Sequence, residues 1–237
     1  MKILRRGVIT SKGVMPEPDE RRVLRALGIP HLRRIEQIEE RGVKQAVRLA
    51  ARRALTMRAF EGSFRVAEVL GADEEGLRIE GASPDFLRSA SLARRFAGAK
   101  AVAVYAVTLG ERWDQTLDAL AAQNEPAEAW FLDALGTHLV DQAARLVEEQ
   151  AGRDFRRVGL RRITRYRPGY GDFPVERQAE LCALVEASRI GITPNEAMAL
   201  LPRKSVTGVV GFREGPEAEE EDAPPSSRRE IQAKESA

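Results

Sequence analysis

Apolar positions along this chain follow two rhythms, one near 3.6 residues and one of two. "EPDERRVLRALG" (17–28) predicts a short helix that opens on Pro18 and acids and stops at Gly28. Residues 31–55 place Leu32, Ile35, Ile38, Val43, Val47, Leu49 and Ala50 in a mostly helical period, with Gly42 as a weak point. "MRAFEGSFRVAEVL" (57–70) and "GLRIE" (76–80) then read as strands joined by the turn "GADEE". Ser83-Pro84-Asp85 predicts a helix start, Ser83 as cap and Pro84 at the first helical position, running to Ala97. "AKAVAVYAVTLG" (99–110) is apolar on both faces, which predicts a central buried strand ended by Gly110. Helices over 111–123 and 126–150 follow, then a strand "LRRITRY" (160–166).

Both rhythms break at "RYRPGYGDFP" (165–174). Pro168 has no N–H to give a helix or an inner strand, and two glycines favour other backbone shapes. "VERQAELCALVEA" (175–187) resumes a helix, with Ala179, Cys182 and Val185, or Leu181 and Leu184, turned inward. Thr193-Pro194-Asn195-Glu196 reads as a capping box that starts a short helix ending at Pro202. "SVTGVVGF" (205–212) is the last strand. This irregular alternation predicts an α+β fold: a mostly antiparallel, twisted sheet flanked by helices. The pattern gives an N-terminal extension (1–17), one domain (18–213) and an acidic tail (214–237) whose composition predicts disorder.

Charge changes this picture little. The net charge is +2, with −5 from Glu214 onward and so +7 before it. A basic body attracts anions, but its arginines alternate with glutamates, as on solvated helix faces. No Lys/Arg block is interleaved with aromatics, so no nucleic-acid partner is expected. No run of about 18 apolar residues predicts a membrane span. The N-terminus has no signal-peptide pattern, and the cytoplasm is the expected compartment. The single cysteine, Cys182, excludes a disulfide framework and a cysteine-cluster metal site.

Much chemistry is excluded as well. Neither histidine, His31 or His138, has a partner at metal-ligand spacing, so no metal is expected. There is no G-x-S-x-G elbow, no P-loop and no G-x-G-x-x-G after a strand. No catalytic residue is assigned. The 165–174 stretch carries the candidate chemistry. Arg165 ends a strand, and a guanidinium presents a planar fork that suits a carboxylate. Pro168 fixes one backbone angle, Gly169 and Gly171 admit close backbone approach, and Tyr170 offers a π face. Two readings stay open on spacing: a ligand loop, or a rigid turn whose tyrosines plug the core and whose arginines are solvated.

"RYRPGYGDFPVERQ", followed by "IGITPNEAMALLPRKSVTGVVGF", resembles the activation (reactivation) domain of cobalamin-dependent methionine synthase. "AVTLGERWDQTLDAL" and "AWFLDALGTHLVDQAARLVEE" are similar to small stand-alone members of that family, and the resemblance covers roughly 18–213. It implies binding of S-adenosylmethionine (SAM), with the ligand arginine at Arg165 and the loop tyrosine at Tyr170. Pro168, Gly169 and Gly171 would shape the loop, and Asp141 stands where large enzymes carry Glu. Phe173 stands where they commonly carry Cys. Ser205 and Gly208 match a second motif and would shape the adjacent strand. The same resemblance implies reductive reactivation of cobalamin with a methyl group from SAM and an electron from a flavoprotein. This chain has no D-x-H-x-x-G cobalamin motif and lacks the cysteines for a homocysteine-activating zinc. It would therefore be an accessory to a methionine synthase or other corrinoid protein encoded elsewhere. The alternative is a non-catalytic or regulatory protein of another methyl-transfer pathway that keeps the fold. On the resemblance Arg165 is the ligand arginine, and Arg167 is left as a solvated or partner-facing charge.

Overall fold

The computed structural model describes residues 8–15 and 20–215. In chain order the elements are β1 (Val8–Val14), α1 (Glu20–Ala26), a 3-10 turn at Ile35–Gln37, and α2 (Arg41–Thr56). Next come β2 (Ala59–Ala72), β3 (Gly76–Ile79), β4 (Leu87–Arg88), α3 (Ala90–Arg95) and β5 (Ala101–Thr108). Helices α4 (Arg112–Ala122) and α5 (Pro126–Arg157) lead to β6 (Leu160–Tyr166) and α6 (Arg177–Leu184). A 3-10 turn at Ala187–Ile190 and the short β7 (Thr193–Pro194) and β8 (Leu200–Leu201) precede β9 (Ser205–Glu214).

The period-two segments form one antiparallel sheet in the order β4-β3-β2-β5-β9-β6, with β1 alongside the first half of β2. The α+β expectation holds. β5 is buried along its whole length, as a strand apolar on both faces must be. Ala101, Ala103, Tyr105 and Val107 face a core built with α1, α2, α4 and α5. Val102, Val104 and Ala106 face a second core under α3, α6 and the 187–190 turn. The sheet is thus the middle layer of three.

Helix α5 lies close against the sheet because small residues let it. A Cβ on Gly62 would sit 2.5 Å from Val147, and one on Gly152 would sit 2.8 Å from Phe212. That explains why the helix continues past the expected end at 150 to Arg157: Gly152 is a packing position rather than a stop. At the other end Trp113 is fully buried, and its Nε1–H donates to the Met57 carbonyl at 3.0 Å.

Several expectations are corrected. The reading of 1–17 as an extension gives it no element, yet residues 8–14 pair with Ala59–Arg65 as β1. The helix expected over 31–55 begins only at Arg41, because Glu40 caps it by accepting from Gly42 and Val43 N–H. Ser83-Pro84-Asp85 is a turn, with Phe86 N–H donating to the Ser83 carbonyl. Phe86 and Leu87 are buried, and β4 pairs with β3, so helix α3 waits for Ser89, whose hydroxyl accepts from Leu92 N–H at 3.0 Å. Thr193–Pro202 is no helix. The Asn195 side chain accepts from Ala199 N–H at 2.9 Å and closes a β7–β8 hairpin instead. The expected start of α1 at Pro18 and the acidic tail beyond Gly215 lie outside the described residues.

Candidate functional site

The 165–174 loop leaves the sheet at the end of β6. Tyr170 N–H donates to the Arg167 carbonyl at 3.2 Å, with Pro168 and Gly169 (φ +85°) between them. That is a type II turn, which places proline and glycine where their backbones fit best. Phe173 N–H returns to the Tyr170 carbonyl at 3.0 Å around Gly171 (φ +54°). Phe173 is buried, and its ring centroid lies 6.1 Å from that of Tyr166. Tyr170 packs edge-on to Tyr166 at 6.3 Å. The rings therefore do anchor the loop to the second core.

A carboxylate fastens the loop's far side. Asp172 accepts from Ser89 Oγ at 2.6 Å, Ala90 N–H at 2.7 Å and Ser91 N–H at 3.1 Å. It caps α3 from a distant part of the chain. The Ser89 hydroxyl first, and the backbone and side chain of Ser91, hold its pKa well below 3.8.

The arginines do not point into water. Arg165 Nη1 donates to Asp141 Oδ1 at 2.9 Å, and Arg167 Nη2 donates to the same oxygen at 2.6 Å. Their side chains are 12% and 17% exposed, so the solvated reading of Arg167 is corrected. Arg165 Nε also sits 3.1 Å from Oε1 of Glu148, an ion pair short of hydrogen-bond geometry. Glu148 is fully buried two turns beyond Asp141 on α5, and its Oε2 accepts from Arg162 at 2.8 Å. Burial alone would raise the Asp141 pKa; Arg165, then Arg167, outweigh it and hold the carboxyl below 3.8.

Tyr105 reaches this cluster from β5. It faces Gly208 across the β5–β9 ladder, where a Cβ would lie 2.6 Å from the phenol oxygen. Gly208 thus makes room for the ring. Burial, then the Glu148 charge, raises the Tyr105 pKa above its ordinary 10, so the phenol stays neutral. Tyr105 Oη and Arg167 Nε are both buried, and the phenol interacts with the Arg167 guanidinium and with Glu148.

A cleft of about 300 Å³ opens beside the loop. Arg167, Pro168, Ser205 and Gln178 line it, with Met198 and Leu200 of the hairpin as its apolar wall. Ser205 Oγ donates to Thr108 Oγ1 at 2.8 Å and ties the start of β9 to the end of β5. The structure thus gathers Arg165 and Asp141 in the ion cluster and places Pro168 and Ser205 on the cleft. Gly169, Tyr170 and Gly171 shape the loop, and Gly208 lies beneath Tyr105. The sequence reading missed Arg167, Glu148, Tyr105 and the hairpin wall. One signal was present: Asp141 and Glu148 are seven apart, hence on one helix face.

Other reactive groups are quiet. Burial lowers the pKa of His138, whose Nε2 is 2.7 Å from Gln142 Nε2. Burial pushes the Cys182 thiol up to about 11. Among the described residues no group of three or more His, Cys, Asp and Glu is placed to hold a metal ion. Within the same residues no helix is long and apolar enough to cross a membrane.

No family model matches the sequence, and no curated protein does. Among solved structures, the chain is similar to the crystal structure of the MetH reactivation domain bound to AdoHcy. The match has a TM-score of 0.62 and 17% identity, over 91% of this chain and 81% of that one. The chain therefore has an α+β fold of the MetH reactivation-domain type.

Proposed function

We propose that this chain binds SAM in the cleft beside the 165–174 loop and supports reductive methylation of cobalamin held by a separate methionine synthase. The observation that carries the reading is one juxtaposition. In a fold shared with an AdoHcy-bound reactivation domain, a paired-arginine loop borders a cleft with one polar and one apolar wall. The cleft volume lies at the lower end of the range for small-molecule sites, roughly 300–1,000 Å³.

The residues fit the chemistry of the ligand. SAM offers a carboxylate, an ammonium, a sulfonium and a flat base. The Arg165–Arg167 pair suits the carboxylate. Asp141, 38% exposed and held ionised, suits the ammonium or sulfonium. Pro168, Met198 and Leu200 offer the base an apolar wall. Gly169, Tyr170 and Gly171 set the loop's shape, and Ser205 and Gly208 hold the strand under it. When bound, SAM would supply the methyl group, and the loop and cleft residues of this chain would hold and orient it. A flavoprotein supplies the electron, and the cytoplasm is the setting. No step is assigned to a catalytic side chain of this chain.

Calorimetric titration with SAM tests the reading, with and without a corrinoid methionine synthase. Saturable binding of one SAM per chain is expected. No heat in either case removes it. One observation favours a second reading, a non-catalytic docking or regulatory protein for a corrinoid partner: Arg165 is already engaged by Asp141 and Glu148. Under that reading the chain co-elutes with the corrinoid protein yet gives no SAM signal.

A further inference from the structure

The cleft lies where β9 begins, and the other end of the same sheet is basic. There β6 starts and β9 ends, and the last ladder pairs set Arg161 against Arg213 and Leu160 against Glu214. Like charges directly opposite on neighbouring strands repel. Neither guanidinium finds a carboxylate among the described residues. Arg161 Nη1 donates to the Arg156 carbonyl at 3.3 Å, and Arg213 Nη1 donates to the Ala97 carbonyl at 3.4 Å. Those bonds join the pair to more positive charge on both sides. Arg156 and Arg157 are exposed in the last turn of α5, and Lys100 is exposed just before β5. Lys100 N–H donates to the Phe212 carbonyl at 2.8 Å, next to Arg213.

Arg156 and Arg157 have a local reason to be there, because cations suit the C-terminal end of a helix dipole. Arg157 also lies 3.9 Å from Asp154. The strand pair Arg161–Arg213 and Lys100 have no such reason, and an adjacent anion would supply one. The sequence places an anion within reach. Glu217, Glu219, Glu220, Glu221 and Asp222 put five acids in six residues, with no basic residue among them. Glu217 follows Glu214 by three residues, a reach of about 10 Å. So short a tether holds the run at this surface at a millimolar effective concentration. Surface ion pairs that are weak one by one then suffice to seat it.

We propose that the acidic run 217–222 docks on this basic end of the sheet, against Arg156, Arg161, Arg213 and Lys100. The contact occupies a surface that would otherwise attract other polyanions, and rising salt opens it. It stands apart from the cleft, so it does not depend on the SAM reading.

Zero-length carbodiimide cross-linking of the full chain, read by mass spectrometry, tests the proposal. The reagent joins a lysine amine to a carboxylate in contact with it. Lys100 is the lysine of the patch, and Lys12 on β1 and Lys44 on α2 serve as controls. Wild type is expected to link 217–222 to Lys100 well above either control. The double variant Arg161→Gln/Arg213→Gln is expected to cut that yield about 5-fold, the worth of two exposed ion pairs. Arg156→Gln, at an exposed helix position, is expected to lower it in the same direction. Melting confirms that the variants fold. At about 1 M salt, where the Debye length is about 3 Å, the link should disappear. No link at Lys100, links spread evenly over the three lysines, or a yield indifferent to both variants overturns the docking. Links between an isotope-labelled and an unlabelled chain would give the surface to a second copy and overturn docking within one chain.

Discussion

At the residue scale, the loop turns on two glycines with positive φ, and Gly171 is the more crowded of them. Gly171 has φ +54°, and a Cβ there would lie 2.4 Å from the Tyr166 hydroxyl and 3.1 Å from Ser91 Oγ. Gly171→Ala should therefore lower stability by about 1–3 kcal/mol, measured by urea unfolding. Asp172 makes a prediction with a sign in pH. Its folded pKa is below the ordinary 3.8, so its contribution is complete above that value and is lost as pH falls through the folded pKa. Asp172→Asn should lower Tm by about 2 °C at pH 7, a modest effect because the carboxylate is solvent-screened. The gap from wild type should close below about pH 4. A gap that is flat across pH 2–7 would refute the capping role. The loop itself was legible in advance, because proline and glycine announce a break in any period. The roles of its arginines were not. Arg165 and Arg167 are two apart on extended backbone, which sends both to one side. That spacing argued against separating them into a ligand residue and a solvated one.

At the element scale, legibility followed the strength of the period. β5, α4, β6 and β9 fall within two residues of their expected bounds, and α5 starts where expected but runs seven residues further, to Arg157. β1 was invisible because "VITSKGV" alternates partly buried with exposed positions and has no fully buried residue. Its evidence lies in its partner, since β2 would otherwise present an open edge over Ala59–Arg65. A variant lacking residues 1–14 should melt lower and self-associate, seen as a concentration-dependent rise in light scattering. A monomeric variant with unchanged Tm would show that the edge needs no cover. The hairpin 193–201 misled for another reason. Asn195 gives the same sequence signal whether its side chain caps a helix or closes a turn, and only the fit of Leu200 into the second core decides. Glu148 was hidden because α5 carries many acids, and nothing local marks the one that is fully buried. Glu148→Gln should cost about 3–5 kcal/mol, since it leaves Arg162 and Arg165 facing a neutral amide in a dry setting. Loss of less than 1 kcal/mol would mean water reaches the pair.

At the scale of the whole molecule, the sheet separates two cores, and the candidate site lies where the layers meet at one end. Helix α5, about 48 Å long at 1.5 Å per residue, packs on the first core and carries Asp141 and Glu148 midway along. β6 brings Arg165, the loop brings Arg167 and Pro168, and the hairpin brings Met198 and Leu200 from the second-core side. A ligand in that cleft would touch the two cores at once. It would stabilise the fold by mass action rather than by making a new element. At about 100 times its Kd, SAM should add about 2.7 kcal/mol to unfolding, or about 5–10 °C in Tm. The protection should be local. Hydrogen exchange should slow at 167–173 and 193–201, where backbone N–H groups close the loop and the hairpin. It should not change in α1 or the first turns of α2, which lie on the first core and take no part in the cleft. Slowing spread evenly over the chain would instead indicate that SAM acts on global unfolding alone. Slowing confined to α1 and α2 would move the site to the opposite layer and leave the arginine loop a purely structural device.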